Sequence, residues 1–185
     1  MSEKNKKAIA GEAGPLWYAV YVCSRHEKNA HRKLLEKGIE SFLPLAETWR
    51  QWSDRRKKII EPLFKGYVFV KCSYRADCSR ILDTESVVRF VGVNRIPSVI
   101  RERDIEWIRA LLRAPELLGA CVDAIPPGRK VRVVAGPFRG LEGTVLRRGR
   151  DERVVIFFDS IMQGIEVAIA AEMLKVITSD IRDVG

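Results

Sequence analysis

The stretch Gly66 to Cys72, GYVFVKC, decides the fold. Its centre, Tyr67 to Val70, is a run of β-branched and aromatic residues, the types that pack well on a pleated strand. Side chains of a strand alternate between faces, so Tyr67, Phe69 and Lys71 share one face while Val68, Val70 and Cys72 share the other. The two faces are chemically different: one is aliphatic, the other aromatic with a charge at its end.

Upstream, Leu16 to Val22 (LWYAVYV) reads as a buried strand. A helix follows, for which Ser24 and Glu27 offer a Ser-x-x-Glu capping box that satisfies two orphan N–H groups of the first turn. Ala30, Leu34 and Leu35 supply its apolar stripe, and Gly38 is placed to end it. Ser41 to Leu45 reads as an edge strand, because Pro44 has no N–H to donate to a ladder. Thr48 to Trp52 and Lys57 to Pro62 flank a charged turn, Ser53 to Arg56, which predicts a projecting hairpin. Downstream, Ala76 to Leu82 suits a short helix and Val87 to Val93 a strand. Arg101 to Leu112 has Ile105, Ile108, Leu111 and Leu112 at helical spacing, with acidic residues in the early turns where the helix dipole favours them. The order β-α-β-(hairpin)-β-α-β-α predicts an α+β fold, a ferredoxin-like α/β sandwich with an antiparallel sheet.

From Ala114 the periodicity is lost, and Pro115, Gly119, Pro126 and Pro127 mark a boundary. The expected organisation is a disordered tail over 1–14, a first domain over 15–113, a linker over 114–125, a second domain over 126–178 and a tail over 179–185. Within the second domain five short strands are expected: Lys130 to Val134, Gly143 to Arg147, Arg153 to Phe158, Ile165 to Ile169 and Leu174 to Ile177. That number suits a small SH3-like β-barrel, which is too small to hold a deep catalytic cleft as well.

The net charge of +9 lies mainly in the first half: residues 1–113 carry 23 Lys+Arg against 14 Asp+Glu, and residues 126–178 carry 9 against 6. A field of this sign favours polyanions such as nucleic acid. Cys23, Cys72, Cys78 and Cys121 are scattered without a C-x-x-C pair, so neither a zinc site nor a disulfide framework is indicated. No run approaches the roughly 20 apolar residues that span a bilayer, and the N-terminus lacks an apolar signal core, so a cytoplasmic location is expected. His26 and His31 lie five apart on one helix, a spacing that diverges around the axis and cannot form a paired metal face. With no nucleophile triad, phosphate loop or dinucleotide motif in company, no enzyme activity, metal or cofactor is expected.

Two stretches carry a family resemblance. Val131 to Val145 (VRVVAGPFRGLEGTV) is similar to the KOW motif, in which a strand passes through an apolar-Gly-Pro-Phe-x-Gly turn into a second strand. Gly136, Gly140 and Gly143 are expected to permit its tight reversals, with Phe138 plugging the barrel end. Trp17-Tyr18, the helix beginning at His26, Leu43-Pro44, Glu61 to Val70 (EPLFKGYVFV) and Val88 to Gly92 resemble the NusG N-terminal domain in order and spacing. The common Phe-Pro-Gly-Tyr pattern of that domain reads Phe64-Lys65-Gly66-Tyr67 here, keeping the Gly and Tyr but losing the rigid Pro. Arg50 to Arg55 (RQWSDR) more closely resembles the specialised paralogues of the RfaH, LoaP and UpxY type.

The resemblance implies a non-catalytic transcription elongation and antitermination factor that docks on the clamp helices of the RNA polymerase β′ subunit. The docking residues it implies are Tyr21, Leu63, Phe64, Tyr67 and Phe69. Arg25, Arg55, Arg56, Lys57, Lys58 and Arg89 would meet nucleic acid, including non-template DNA, and Trp49 and Trp52 are candidates to stack on unpaired bases. Glu61 and Arg153 would pair across a domain interface through which the barrel masks the docking surface. The barrel itself would engage Rho or a small-subunit ribosomal protein, in a chain that is otherwise a monomer. The alternative is a ribosomal or general RNA-binding protein, since KOW barrels and basic charge fit that class too.

Overall fold

Alternation of aliphatic residues along two strands builds the first core. In the computed structural model, which describes residues 14–51, 56–94, 96–113, 128–148, 151–158, 163–167, 169 and 173–177, β1 (Leu16–Val22) and β5 (Tyr67–Cys72) pair antiparallel from Leu16 opposite Cys72 to Tyr21 opposite Tyr67. Tyr18, Val20 and Val22 thereby join Val68, Val70 and Cys72 on one face, and all six are buried. Helix α1 (Glu27–Glu36) adds Ala30 and Leu34 to that core, and helix α2 (Tyr74–Leu82) adds Ile81.

Strand β2 (Glu40–Phe42) pairs with β5, and β6 (Val87–Phe90) pairs with β1. The four-stranded sheet runs β2-β5-β1-β6, and every pairing in it is antiparallel. This is the strand order of a ferredoxin-like sandwich with a hairpin inserted before its third strand. The insertion is a two-stranded ribbon of β3 (Leu45–Gln51) and β4 (Arg56–Pro62), so the edge strand expected over Ser41 to Leu45 stops at Phe42 and Leu45 opens the ribbon. Val87 to Val93, expected as one strand, is also divided. β6 ends at Phe90, and Gly92–Val93 (β7) forms a small pair with Ile96–Pro97 (β8). Helix α3 (Glu102–Arg113) buries Ile105, Ile108 and Leu111, three of the four residues that define its periodicity.

The chain divides into two units, 1–112 and 113–185. In the second, β9 (Lys130–Val133), β10 (Glu142–Arg148), β11 (Asp151–Phe158), β12 (Gln163–Val167) and β13 (Leu174–Val176) form one antiparallel sheet of order β12-β11-β10-β9-β13. The five strands match the expected set in order and nearly in bounds; among the described residues no ladder joins β12 to β13. Gly136 and Gly140 adopt positive φ in the β9–β10 turn, above a buried Phe138. Gly143 does not: it lies inside β10, paired with Val131 and Ile156, so it makes no reversal. Residues 1–13 and 179–185 of the expected tails, the whole expected linker 114–125, Ser53 to Arg55 of the expected charged turn and Cys121 lie outside the described residues, while Arg56, the last residue expected in that turn, opens β4.

Candidate functional site

The sheet face turned away from α1 and α2 carries a second set of aromatic residues, apart from Tyr18 in the core and Phe90 packed against it. Along β1 it receives Trp17, Ala19 and Tyr21, and across from them β5 contributes Lys71, Phe69 and Tyr67. β2 adds Phe42 opposite Phe69, and β6 adds Arg89 opposite Tyr21. One face of one sheet thus bears five aromatic rings, and its two ends differ.

At the Trp17 end the face is held against α3. The indole Nε1–H of Trp17 donates to both carboxylate oxygens of Glu102 at 3.1 Å. Lys71 Nζ donates to Glu102 Oε2 at 3.0 Å and lies 5.7 Å from the Trp17 ring centre. Arg109, two turns along α3, packs its guanidinium over Trp17 and over Phe42 at 5.7 and 5.3 Å. The Lys71 ammonium, with the Trp17 N–H, holds the Glu102 carboxyl below its ordinary range. Phe69 is completely buried here, with Phe42 and Phe64 rings at 6.0 and 5.7 Å.

At the other end Tyr21 is 38 % exposed and Tyr67 half-buried, their rings meeting edge to face at 5.6 Å. The Arg89 guanidinium lies over the Tyr21 ring at 5.5 Å. Gly66 supplies the floor. Its φ of +80° is open to glycine at little cost, and a Cβ there would stand 3.0 Å from Cε2 of Tyr21. Its carbonyl accepts from Val22 N–H and its own N–H donates to Glu27 Oε1, both at 2.8 Å. Glu27 is therefore not half of a capping box. Helix α1 starts one residue after His26, no side chain caps it, and the carboxylate reaches 39 residues along the chain to the loop before β5.

The expected docking residues are consequently split. Tyr21 and Tyr67 are together and accessible, and Leu63 is half-buried beside them in sequence, its N–H donating to Pro44 O. Phe64, 2 % exposed, and Phe69 are sealed within the first unit; a ring in close-packed core has no surface to offer a partner. Of the expected nucleic-acid residues, Arg25 is exposed with a φ of +66°, Arg89 is exposed on Tyr21, and Lys58 is exposed in an ion pair with Glu47. Arg56 and Lys57 stand on β4 with only their backbone described, as does Trp49 on β3, while Arg55 and Trp52 lie outside the described residues. Glu61 stands on β4 opposite Ala46, with its carboxylate 3.8 Å from Lys65 Nζ. Arg153 is placed on β11 opposite Leu146, its side chain undescribed.

The two histidines serve separate contacts. His26 Nδ1 meets Ser86 Oγ and His31 Nδ1 meets Ser41 Oγ, each at 2.8 Å, and burial pushes the His31 imidazole below its usual value. Among the described residues no group of three His, Cys, Asp or Glu is arranged to hold a metal, and no helix is long and apolar enough to cross a membrane. The Trp17–Glu102–Lys71 cluster and the Glu27–Gly66 bond left no local signal in the sequence, because their partners are 31 to 85 residues apart.

Comparison with known proteins gives two family matches. The NusG model, described as transcription termination factor nusG, matches residues 15–109, and the KOW motif matches residues 127–157. The transcription termination/antitermination protein NusG of Pseudomonas aeruginosa is 29 % identical over 140 residues, covering 70 % of this chain and 79 % of its own. NusG of Thermus thermophilus is 29 % identical over 166 residues, covering 77 % and 89 %. Among solved structures, one described as domain interaction in Thermotoga maritima NusG aligns with 88 % of this chain and 97 % of its own at a TM-score of 0.58 and 19 % identity, a likeness of fold.

Proposed function

The chain belongs to the NusG family of transcription factors, and on that premise we propose that it docks through the open end of its aromatic sheet face on the clamp helices of the RNA polymerase β′ subunit. The observation that carries this reading is the accessible Tyr21–Tyr67 pair, with Arg89 stacked on it, on a face otherwise covered by the protein's own helix. Aromatic residues with a polar tip suit a surface that is wet when free and buried when bound. Docking there bridges the clamp and keeps the polymerase processive; no bond in any substrate is made or broken. The exposed cations Arg25 and Arg89, with those of the hairpin, then act on phosphates of the non-template strand.

We further propose that the protein is a cytoplasmic monomer and a specialised paralogue serving antitermination. The RQWSDR stretch at Arg50 to Arg55 supports that assignment. In this reading the second unit recruits Rho or a small-subunit ribosomal protein, and a Glu61–Arg153 pair masks the docking surface until a target is met. The strong strand propensity of Arg153 to Phe158 argues against a helical alternative for that unit.

Capture of core RNA polymerase from purified components tests the docking. The full chain should retain polymerase in moderate salt, and Tyr67→Ala should lose it while remaining folded; unchanged capture would refute the reading. A second reading, RNA binding through the second unit, draws on Lys130, Arg132 and Lys175, which are exposed on neighbouring strands β9 and β13. Salt-labile binding of bulk RNA, independent of polymerase, would favour it.

A further inference from the structure

Glu27 is only 5 % exposed, and a buried polar side chain left without a hydrogen bond is costly. Its carboxylate accepts one from the Gly66 N–H. That bond closes a small circuit. Gly66 also accepts from Val22 on β1, and it lies under the Tyr21 ring so closely that a Cβ would meet it at 3.0 Å. Tyr67, the next residue, turns its ring edge to Tyr21. The loop Leu63 to Gly66 lacks the proline of the common pattern, so its conformation must be held by contacts instead of by a fixed φ. Leu63 N–H on Pro44 O and Tyr67 N–H on Phe64 O hold its two ends. Glu27 holds its one positive-φ residue from the side of helix α1.

We propose that Glu27 is a positioning residue: through the Gly66 N–H it sets the loop on which the Tyr21–Tyr67 pair rests, and so sets the geometry of the partner-binding end of the face. This rests on the docking reading given above. A purely helical role is the competing explanation, because Glu27 stands in the first turn of α1, where any negative charge meets the positive end of the dipole.

Two conservative variants separate these roles, and neither deletes the side chain. Glu27→Gln keeps the length and an acceptor oxygen but removes the charge. Glu27→Asp keeps the charge but withdraws the acceptor by one methylene. Positioning demands that Gln behave like the parent and Asp fail, whereas a dipole role demands the reverse. In the full chain, Gly66 amide exchange and the Tyr21 ring resonances should match the parent in Glu27→Gln. In Glu27→Asp the amide should exchange at least about tenfold faster, with the Tyr21 ring resonances shifted. Capture of core RNA polymerase should weaken by about tenfold in Asp and stay within about twofold of the parent in Gln. Native Gly66 protection and native Tyr21 signals in Glu27→Asp would overturn the proposal, as would a Gln variant as impaired as Asp. Tyr21→Ala, measured in parallel, tests the docking alone: undiminished capture there would remove the docking reading, while the exchange and ring signals still decide whether Glu27 positions the loop.

Discussion

Trp17 and Tyr21 sit four residues apart on the same strand and the same face, as do Phe69 and Tyr67 two apart on its neighbour, yet they live in opposite surroundings. The Trp17–Phe69 half lies under α3, stitched by Glu102, Lys71 and Arg109. The Tyr21–Tyr67 half has a glycine floor and an arginine lid. Residue type does not separate the halves, since both are aromatic with a cation stacked on top. What separates them is whether the chain returns a helix to cover them. An aromatic face half-covered by its own domain is a core at one end and an accessible surface at the other.

The comparison breaks most readily at Phe69. Phe69→Ala, in the covered half, should destabilise the first unit by about 3–5 kcal/mol, read by chemical denaturation. A loss below about 1 kcal/mol would mean that this half is not the core it is taken for. Trp17→Phe should cost less, about 1–2 kcal/mol, because it removes the indole donor from Glu102 while keeping most of the ring's packing. Tyr67→Ala, in the open half, should cost less than Phe69→Ala, about 1 kcal/mol, including the edge-to-face contact with Tyr21, so the capture defect proposed for it arises on a folded chain.

The smallest effect expected is one of pH. Folding lowers the Glu102 pKa, chiefly through Lys71, from an ordinary value of 4.5. A lowered folded value means that this contribution is fully present above pH 4.5 and is lost as pH falls through the folded pKa. Acid should therefore loosen the covered half slightly before the rest of the unit, and Lys71→Met should flatten that dependence in a melting series from pH 6 down to about pH 3. Because Glu102 is more than half exposed, solvent screening keeps the effect small.

Much of this was legible in the sequence where the signal is local. The alternation of GYVFVKC assigned both faces of β5, Gly38 and Gly136 take the positive φ expected of turn glycines, and the helical spacing of Ile105, Ile108 and Leu111 marks the buried side of α3. Other local readings failed where another group, distant or near, competed. A Ser-x-x-Glu sequence is a good cap in isolation, but Gly66 took the Glu27 carboxylate, and the strand expected through Val93 was divided by its own short pairing with Ile96–Pro97.

By itself, then, the order of residues determined most of the strand and helix sequence of the first unit and which of its side chains share a face, since period and punctuation are properties of neighbours along the chain. Tertiary structure alone decided that Phe64 and Phe69 are core while Tyr21 and Tyr67 are surface, and that Glu27 serves a loop instead of a helix end. Those outcomes depend on contacts such as Phe42 with Phe69 and Gly66 N–H with Glu27, across which packing space and a free N–H, not local propensity, set the lowest free energy.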